Sequence, residues 1–243
     1  MARGRTRHAA MVAGVVHTER FVSDTRALRV YLERIFARVS VEERPFFASR
    51  GRENCQFHRD ALWFCRPDED GLLPLYRTHK DAKTDPRRHH HRISDVPVPD
   101  RMDPLIESLC DDVWRRLGLS GTPNHAVIHR YVDGNDQITY HHDKWMDQEP
   151  GSHIACVSVG AARTFQIGIP YEKTTRLEEA HTVADGDCVS LSYLANQTYK
   201  HQIRRTSTDV GVRYSVTIRC MDTHYEPTKR LLRTRYDPRV ALY

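Results

Sequence analysis

The chain has 243 residues, 39% of them hydrophobic and 28% charged, with a formal net charge of +5. That composition fits one large globular domain and excludes a low-complexity or repeat-built chain, and no apolar run approaches the ~20 residues of a membrane-spanning helix. The small basic excess permits a polyanionic partner without demanding one.

Residues 1–18 hold Arg3, Arg5 and Arg7, no acidic residue and an apolar run from Ala9 to Val16, a composition shared with targeting peptides. We expect a flexible basic arm over 1–20. Ser23-Asp24 then caps an amphipathic helix whose apolar positions Leu28, Tyr31, Leu32, Ile35, Phe36 and Val39 recur at three and four. From Pro45 to Pro99 short aromatic pieces alternate with turn residues and read as strands and long loops. Within them, Arg77, Lys80, Lys83, Arg87, Arg88 and Arg92 face only Asp81 and Asp85, a run that could follow a phosphate backbone or be a solvated loop. A second helix is marked by Asp103 as N-cap, Pro104 at its first position, Leu105, Ile106, Leu109, Val113 and Leu117 on one face and Gly118 past its end. The period then switches to two. Strand-like runs follow at 126–131, 138–141, 153–159, 163–169, 176–183, 188–194, 200–205 and 213–220, which predicts a double-stranded β-helix of about eight strands, an α+β jelly-roll barrel with two N-terminal supporting helices and an N-terminal loop and strand extension.

The six cysteines form no Cys-x-x-Cys pair, and free thiols in a reducing, intracellular compartment, cytoplasmic or nuclear, are expected. Chemistry concentrates at His141 and Asp143. Residues two apart on a strand point to one face, so an imidazole and a carboxylate at that spacing can converge on one metal ion. A third ligand must come from farther along, and His201 is the candidate, with His153 and His181 as competitors. Two histidines and one carboxylate with open positions are the ligand set of non-haem Fe(II) oxygenases.

The ordered set His129-Arg130-Tyr131, Asp133-Gly134, His141-His142-Asp143, Ser158-Val159-Gly160-Ala161-Ala162-Arg163-Thr164-Phe165, Gly186-Asp187, His201 and Arg213 to Arg219 resembles the AlkB family of Fe(II)/2-oxoglutarate dioxygenases over residues 124–221. The resemblance implies a catalytic domain there, preceded by helices and substrate-recognition loops over 21–123 and followed by a C-terminal tail over 222–243. It also implies Fe(II) held by His141, Asp143 and His201, with 2-oxoglutarate and O2 as cosubstrates. Arg213 is the candidate to grip the far carboxylate of 2-oxoglutarate, because a guanidinium binds a carboxylate bidentately and stays charged inside a barrel. By resemblance, Tyr131 adds a hydroxyl to that carboxylate, and Arg219 faces the cosubstrate nearer its iron-binding end.

Three departures stand out. His129 and Ser215 occupy places where the family usually has Asn, and both can still hydrogen-bond. Trp145 stands where nucleic-acid repair members carry an acidic residue, and an indole can stack on a base but cannot accept from its amine. The expected activity is oxidative removal of an N-alkyl group from a nucleobase in DNA or RNA, on a flipped or single-stranded base, by a monomeric enzyme with no membrane partner. Arg77, Lys80, Lys83, Arg87 and Arg88, with Trp145, would contact that substrate. Hydroxylation of a small molecule, a free nucleoside or a protein side chain is the alternative.

Overall fold

A computed structural model describes residues 8–39, 46–49, 52–56, 59–75, 99–145, 147–226 and 231–234. Strands β1 (His8–Ala10) and β2 (Val15–Thr18) precede helix α1 (Arg26–Phe36), which is followed by β3 (Phe46–Ser49), β4 (Arg52–Gln56), β5 (Asp60–Cys65), β6 (Leu73–Pro74) and β7 (Asp100–Arg101). Helix α2 (Pro104–Leu117) leads into β8 (His125–Tyr131), β9 (Ile138–His141), β10 (His153–Gly160), β11 (Arg163–Tyr171), β12 (Thr174–Val183) and β13 (Cys188–Ser192). The short helix α3 (Tyr193–Thr198) comes next, then β14 (Lys200–Ile203), β15 (Arg213–Arg219), β16 (Thr223–Glu226) and β17 (Leu231–Thr234).

Eight of these strands divide four and four, as a double-stranded β-helix requires. Strands β13, β10, β15 and β8 are consecutive in an eight-stranded sheet of order β1-β2-β13-β10-β15-β8-β5-β7, and β12, β11, β14 and β9 make the four-stranded sheet. The described strands begin and end within about two residues of the eight runs expected from periodicity, with one difference. The run 188–194 stops at Ser192, whose hydroxyl accepts from the Ala195 N–H at 3.1 Å and opens α3. A β-favouring sequence gives way there to a capped helix.

Both long helices form where the apolar spacing places them. In α1, Leu28, Tyr31, Leu32 and Phe36 are buried, but its cap differs from expectation: Thr25 holds the N-cap position without a capping bond. Asp24 instead accepts from the Arg26 N–H and from its guanidinium, an exposed local pair of little energetic weight. At the other end Arg130 donates to the carbonyls of Phe36 and Val39 and pairs with Asp60, satisfying acceptors that the helix leaves open. In α2, Asp103 accepts from the Leu105 and Ile106 N–H groups, and Gly118 closes the helix at φ +65°, where a side chain would be strained.

Residue contacts group the chain into two compact units, Met1–Leu62, Ile128–His142 and Cys156–Val216 in one, and Trp63–Val127, Asp143–Ala155 and Thr217–Tyr243 in the other. The first has a core that includes Val15, Phe21, Leu32, Phe36, Ile167, Val189 and Val216, all buried. In the second, Ile106, Cys110, Val113 and Trp114 line the buried side of α2, and Cys65, Leu73, Leu75 and Tyr225 make a separate apolar cluster.

Two terminal stretches are more ordered in structure than composition suggests. Residues 8–18, expected within a flexible arm, form the β1–β2 hairpin, and β2 pairs antiparallel with β13 from Val15 opposite Leu191 to Thr18 opposite Cys188. His17 Nε2–H donates to Asp187 Oδ2 at 2.9 Å, with both side chains buried, so the hairpin is fastened by a charge-assisted bond as well as by the ladder. The stretch expected as a tail contributes β16, which pairs with both β17 and β6. Of the cysteines, Cys65, Cys110, Cys156, Cys188 and Cys220 are free thiols, and burial pushes Cys65, Cys110 and Cys220 up to about 12, as inert core thiols require.

Candidate metal and cosubstrate site

Strand pairing brings the two histidines together. His201 lies opposite His141 in the β14–β9 ladder, and their ring centroids are 4.3 Å apart. Asp143 follows two residues after His141. One ligand atom from each of the three lies within 4.8 Å of the others, and among the described residues no other group of histidine, cysteine and carboxylate side chains meets that condition. Of the competing histidines, His181 bonds Glu179 and His153 is a half-buried residue of β10.

The ring of His141 is already oriented. Its Nδ1 lies 2.8 Å from the Thr139 carbonyl, which can only accept, so Nδ1–H is the donor and Nε2 is the candidate ligand atom. Phe165 stacks on the His201 ring, with centroids 5.6 Å apart and planes inclined by 22°. Asp143 Oδ2 accepts from Arg219 Nη2 at 2.8 Å, and the side chains are only 8% and 4% exposed. Arg219 thus reaches the candidate metal carboxylate itself, a contact that spacing alone did not reveal because the two residues are 76 apart in sequence.

Arg213 is 1% exposed. Its Nη2 donates to Ser158 Oγ at 2.9 Å, whereas Nε and Nη1 meet no hydrogen-bond acceptor among the described residues, and the guanidinium lies 5.1 Å from the centroid of the Tyr131 ring. Half-satisfied buried guanidinium is unfavourable on its own, so the group is poised for an anion. Tyr131 is buried beside it, hydrogen-bonded to Ser215; burial pushes its phenol up, and the charge of Arg213 works in the opposite direction. The His129 ring sits 6.3 Å from that of Tyr131. His129, Tyr131, Arg213 and Ser215 therefore share one neighbourhood.

Two contributors went unassigned in the sequence although their motif was visible. Ser158 holds Arg213 as described, and Arg163 donates to the carbonyls of Asp133, Gly134, Asp136 and Arg204 while lying 5.9 Å from the Tyr131 ring. The Ser-x-Gly-x-x-Arg spacing signalled both residues, but not which polar atoms they would serve. Trp145 is 39% exposed, two residues past Asp143. Arg77, Lys80, Lys83, Arg87 and Arg88 lie outside the described residues.

His125 carries a pH consequence. It is fully buried, and burial, aided by the charge of Arg219, pushes its imidazole from 6.5 down to about 3. Between those values the unfolded chain binds a proton that the folded chain refuses, so stability falls as pH drops below 6.5. The loss is about 1.4 kcal/mol per pH unit, roughly 2 kcal/mol by pH 5. A melting-temperature series from pH 7 to 5 should therefore fall less steeply for His125→Gln than for the parent. Parallel curves would show that His125 takes up its proton in the folded state.

Known proteins share parts of this sequence and fold. The family description "2OG-Fe(II) oxygenase superfamily" matches residues 47–230. The uncharacterized protein R406 of Acanthamoeba polyphaga mimivirus is 29% identical over 154 residues, 63% of this chain and 76% of that one. The human DNA oxidative demethylase ALKBH2 is 44% identical over 63 residues, 26% of this chain and 23% of the human protein. Among solved structures, that of OsALKBH1 superposes with a TM-score of 0.57 at 12% identity, covering 88% of this chain and all of the other, a likeness of fold.

Proposed function

Because the chain belongs to the 2OG-Fe(II) oxygenase superfamily and carries the AlkB set of motifs, which makes it a non-haem Fe(II) and 2-oxoglutarate-dependent dioxygenase, we propose that it oxidatively removes an N-alkyl group from a nucleobase in DNA or RNA. The observation that carries the reading is the convergence of His141, Asp143 and His201, and it is joined by a buried Arg213 guanidinium whose Nε and Nη1 meet no acceptor among the described residues. In this reading the three converging side chains hold Fe(II), and Arg213 with Tyr131 and Ser215 binds the far carboxylate of 2-oxoglutarate. The ion, when bound, would supply O2 activation coupled to oxidative decarboxylation of 2-oxoglutarate to succinate and CO2.

The protein's own groups orient and neutralise. Arg219 holds Asp143 in place and offsets its charge in a buried setting, and Ser158 aims Arg213. Trp145, exposed two residues from Asp143, offers a face on which an extruded base can stack. Support for a nucleobase comes from the local identity to a DNA oxidative demethylase and from the basic run over 77–92. Trp145 also favours a second reading, hydroxylation of a small molecule, nucleoside or protein side chain, because an indole brings no acceptor for a base amine.

Salt separates the two. Phosphate contacts from Arg77, Lys80, Lys83, Arg87 and Arg88 make oligonucleotide binding weaken steeply as salt rises, and neutralising them flattens that slope. The measurement is affinity for methylated oligonucleotides, and the accompanying succinate yield, across a salt series in the parent and in a variant neutralised over 77–92. Salt-insensitive turnover that survives neutralisation would overturn the nucleic-acid reading in favour of the second. Trp145→Phe should keep more base affinity than Trp145→Ala, which loses a stacking contribution of about 1–3 kcal/mol.

A further inference from the structure

His142, the residue between His141 and Asp143, has a partner of its own. Its Nδ1 lies 2.6 Å from the backbone carbonyl of Asn196 in α3. A carbonyl only accepts, so Nδ1–H is the donor, and the bond runs from the strand end that carries His141 to the helix that ends three residues before His201. We propose that His142 is a positioning residue: its bond to α3 fixes the spacing between the strand that presents His141 and the strand that presents His201. The inference rests on the iron-centre reading above.

The anchor at the far end is firm. Asn196 is fully buried, and α3 is capped by Ser192 and closed by the Tyr199 N–H on the Ala195 carbonyl. The N-terminal hairpin supports the same helix: Ser192 N–H donates to the Gly14 carbonyl, and at Gly14 (φ +78°) a Cβ would stand 2.4 Å from Ser192 Oγ and 3.0 Å from the Ala195 Cβ. The helix is therefore held by the hairpin through Gly14 and by His142 through Asn196. A six-residue helix has too few internal bonds to keep its own position, so these outside contacts set it. Loosening the His142 contact frees α3, and with it the start of β14, relative to His141.

The bond's position gives a discriminating test. An Asn side chain places an N–H donor where Nδ1 stands, a Gln side chain places one where Nε2 stands, and Leu keeps bulk without a donor. Binding of Co(II), used as a spectroscopic probe, is measured by its visible absorption for the full chain and for His142→Asn, His142→Gln and His142→Leu, with melting temperatures recorded without metal. The expected result is that His142→Asn binds like the parent, while His142→Gln and His142→Leu bind about tenfold or more weakly, with an altered visible spectrum. Equal affinity and spectrum in all three variants and the parent would overturn the inference and leave the iron centre standing. Equal weakening of all three would also overturn it, since the ring rather than the donor would then matter. A parent that binds no Co(II), or whose binding survives His201→Ala, would overturn the iron-centre reading and this inference with it. Because Asn and Gln are both polar at a half-buried position, their comparison remains decisive even where the Leu variant fails to fold.

Discussion

His201→Ala should abolish substrate-dependent conversion of 2-oxoglutarate to succinate and also remove the rise in melting temperature that a divalent ion gives the parent. The second readout follows from linkage: an ion that binds only the folded chain stabilises it by an amount set by concentration over Kd, about 2.7 kcal/mol at a hundredfold excess. His201 is the variant of choice because its loss leaves the other two ligands in place. Asp143→Ala is a different experiment. It removes a ligand and also strips a 4% exposed Arg219 of its carboxylate, so a drop in metal-free stability of about 3–5 kcal/mol is expected on top of the lost activity. Asp143→Asn keeps an acceptor for Arg219 and should recover much of that stability without recovering turnover. Full turnover in His201→Ala would send the assignment to another residue.

Sequence and structure agree most closely where one local rule decides the outcome. Asp103, Pro104 and Gly118 each fix a backbone position by their own chemistry, and α2 begins and ends at them. Alternation located β8 to β15 because one face of each strand must be buried, and the spacing of His141 and Asp143 was enough to suggest a metal site. What stayed illegible depends on partners far away in the chain. The β1–β2 hairpin reads as a basic arm until β13 is there to pair with it. His17 and Thr25 show no signal of their own, and the Gly186-Asp187 pattern does not say what Asp187 holds, yet His17 bonds Asp187, and Thr25 gives its hydroxyl to Asp185 instead of to the helix it precedes. Arg213 and Arg219 stand six apart on β15, so alternation puts them on one face, but alternation cannot choose between a cosubstrate carboxylate and Asp143. That choice depends on where the chain returns after 76 residues.

Arg213 separates cosubstrate binding from stability in a way that a surface residue cannot. Its charge is buried, and Nε and Nη1 meet no acceptor among the described residues, so the folded state bears a desolvation cost that a carboxylate would relieve. Arg213→Met removes both the cost and the grip. Metal-loaded but cosubstrate-free protein should therefore melt no lower than the parent, since apolar replacement of a poorly paired buried charge is often neutral or stabilising. Affinity for 2-oxoglutarate should meanwhile fall by roughly two to three decades, the equivalent of about 3–4 kcal/mol for losing one side of a buried charge pair. Arg213→Lys should fall between them, because an ammonium keeps the charge but loses the planar fork and the Ser158 contact that aims it. Melting curves with and without 2-oxoglutarate measure both quantities in one experiment: the Met variant should lose the ligand-induced shift and keep its baseline. A Met variant with the parent's shift would place the carboxylate elsewhere. One with a baseline several degrees lower would mean that Arg213 is paired in the folded protein before any cosubstrate arrives.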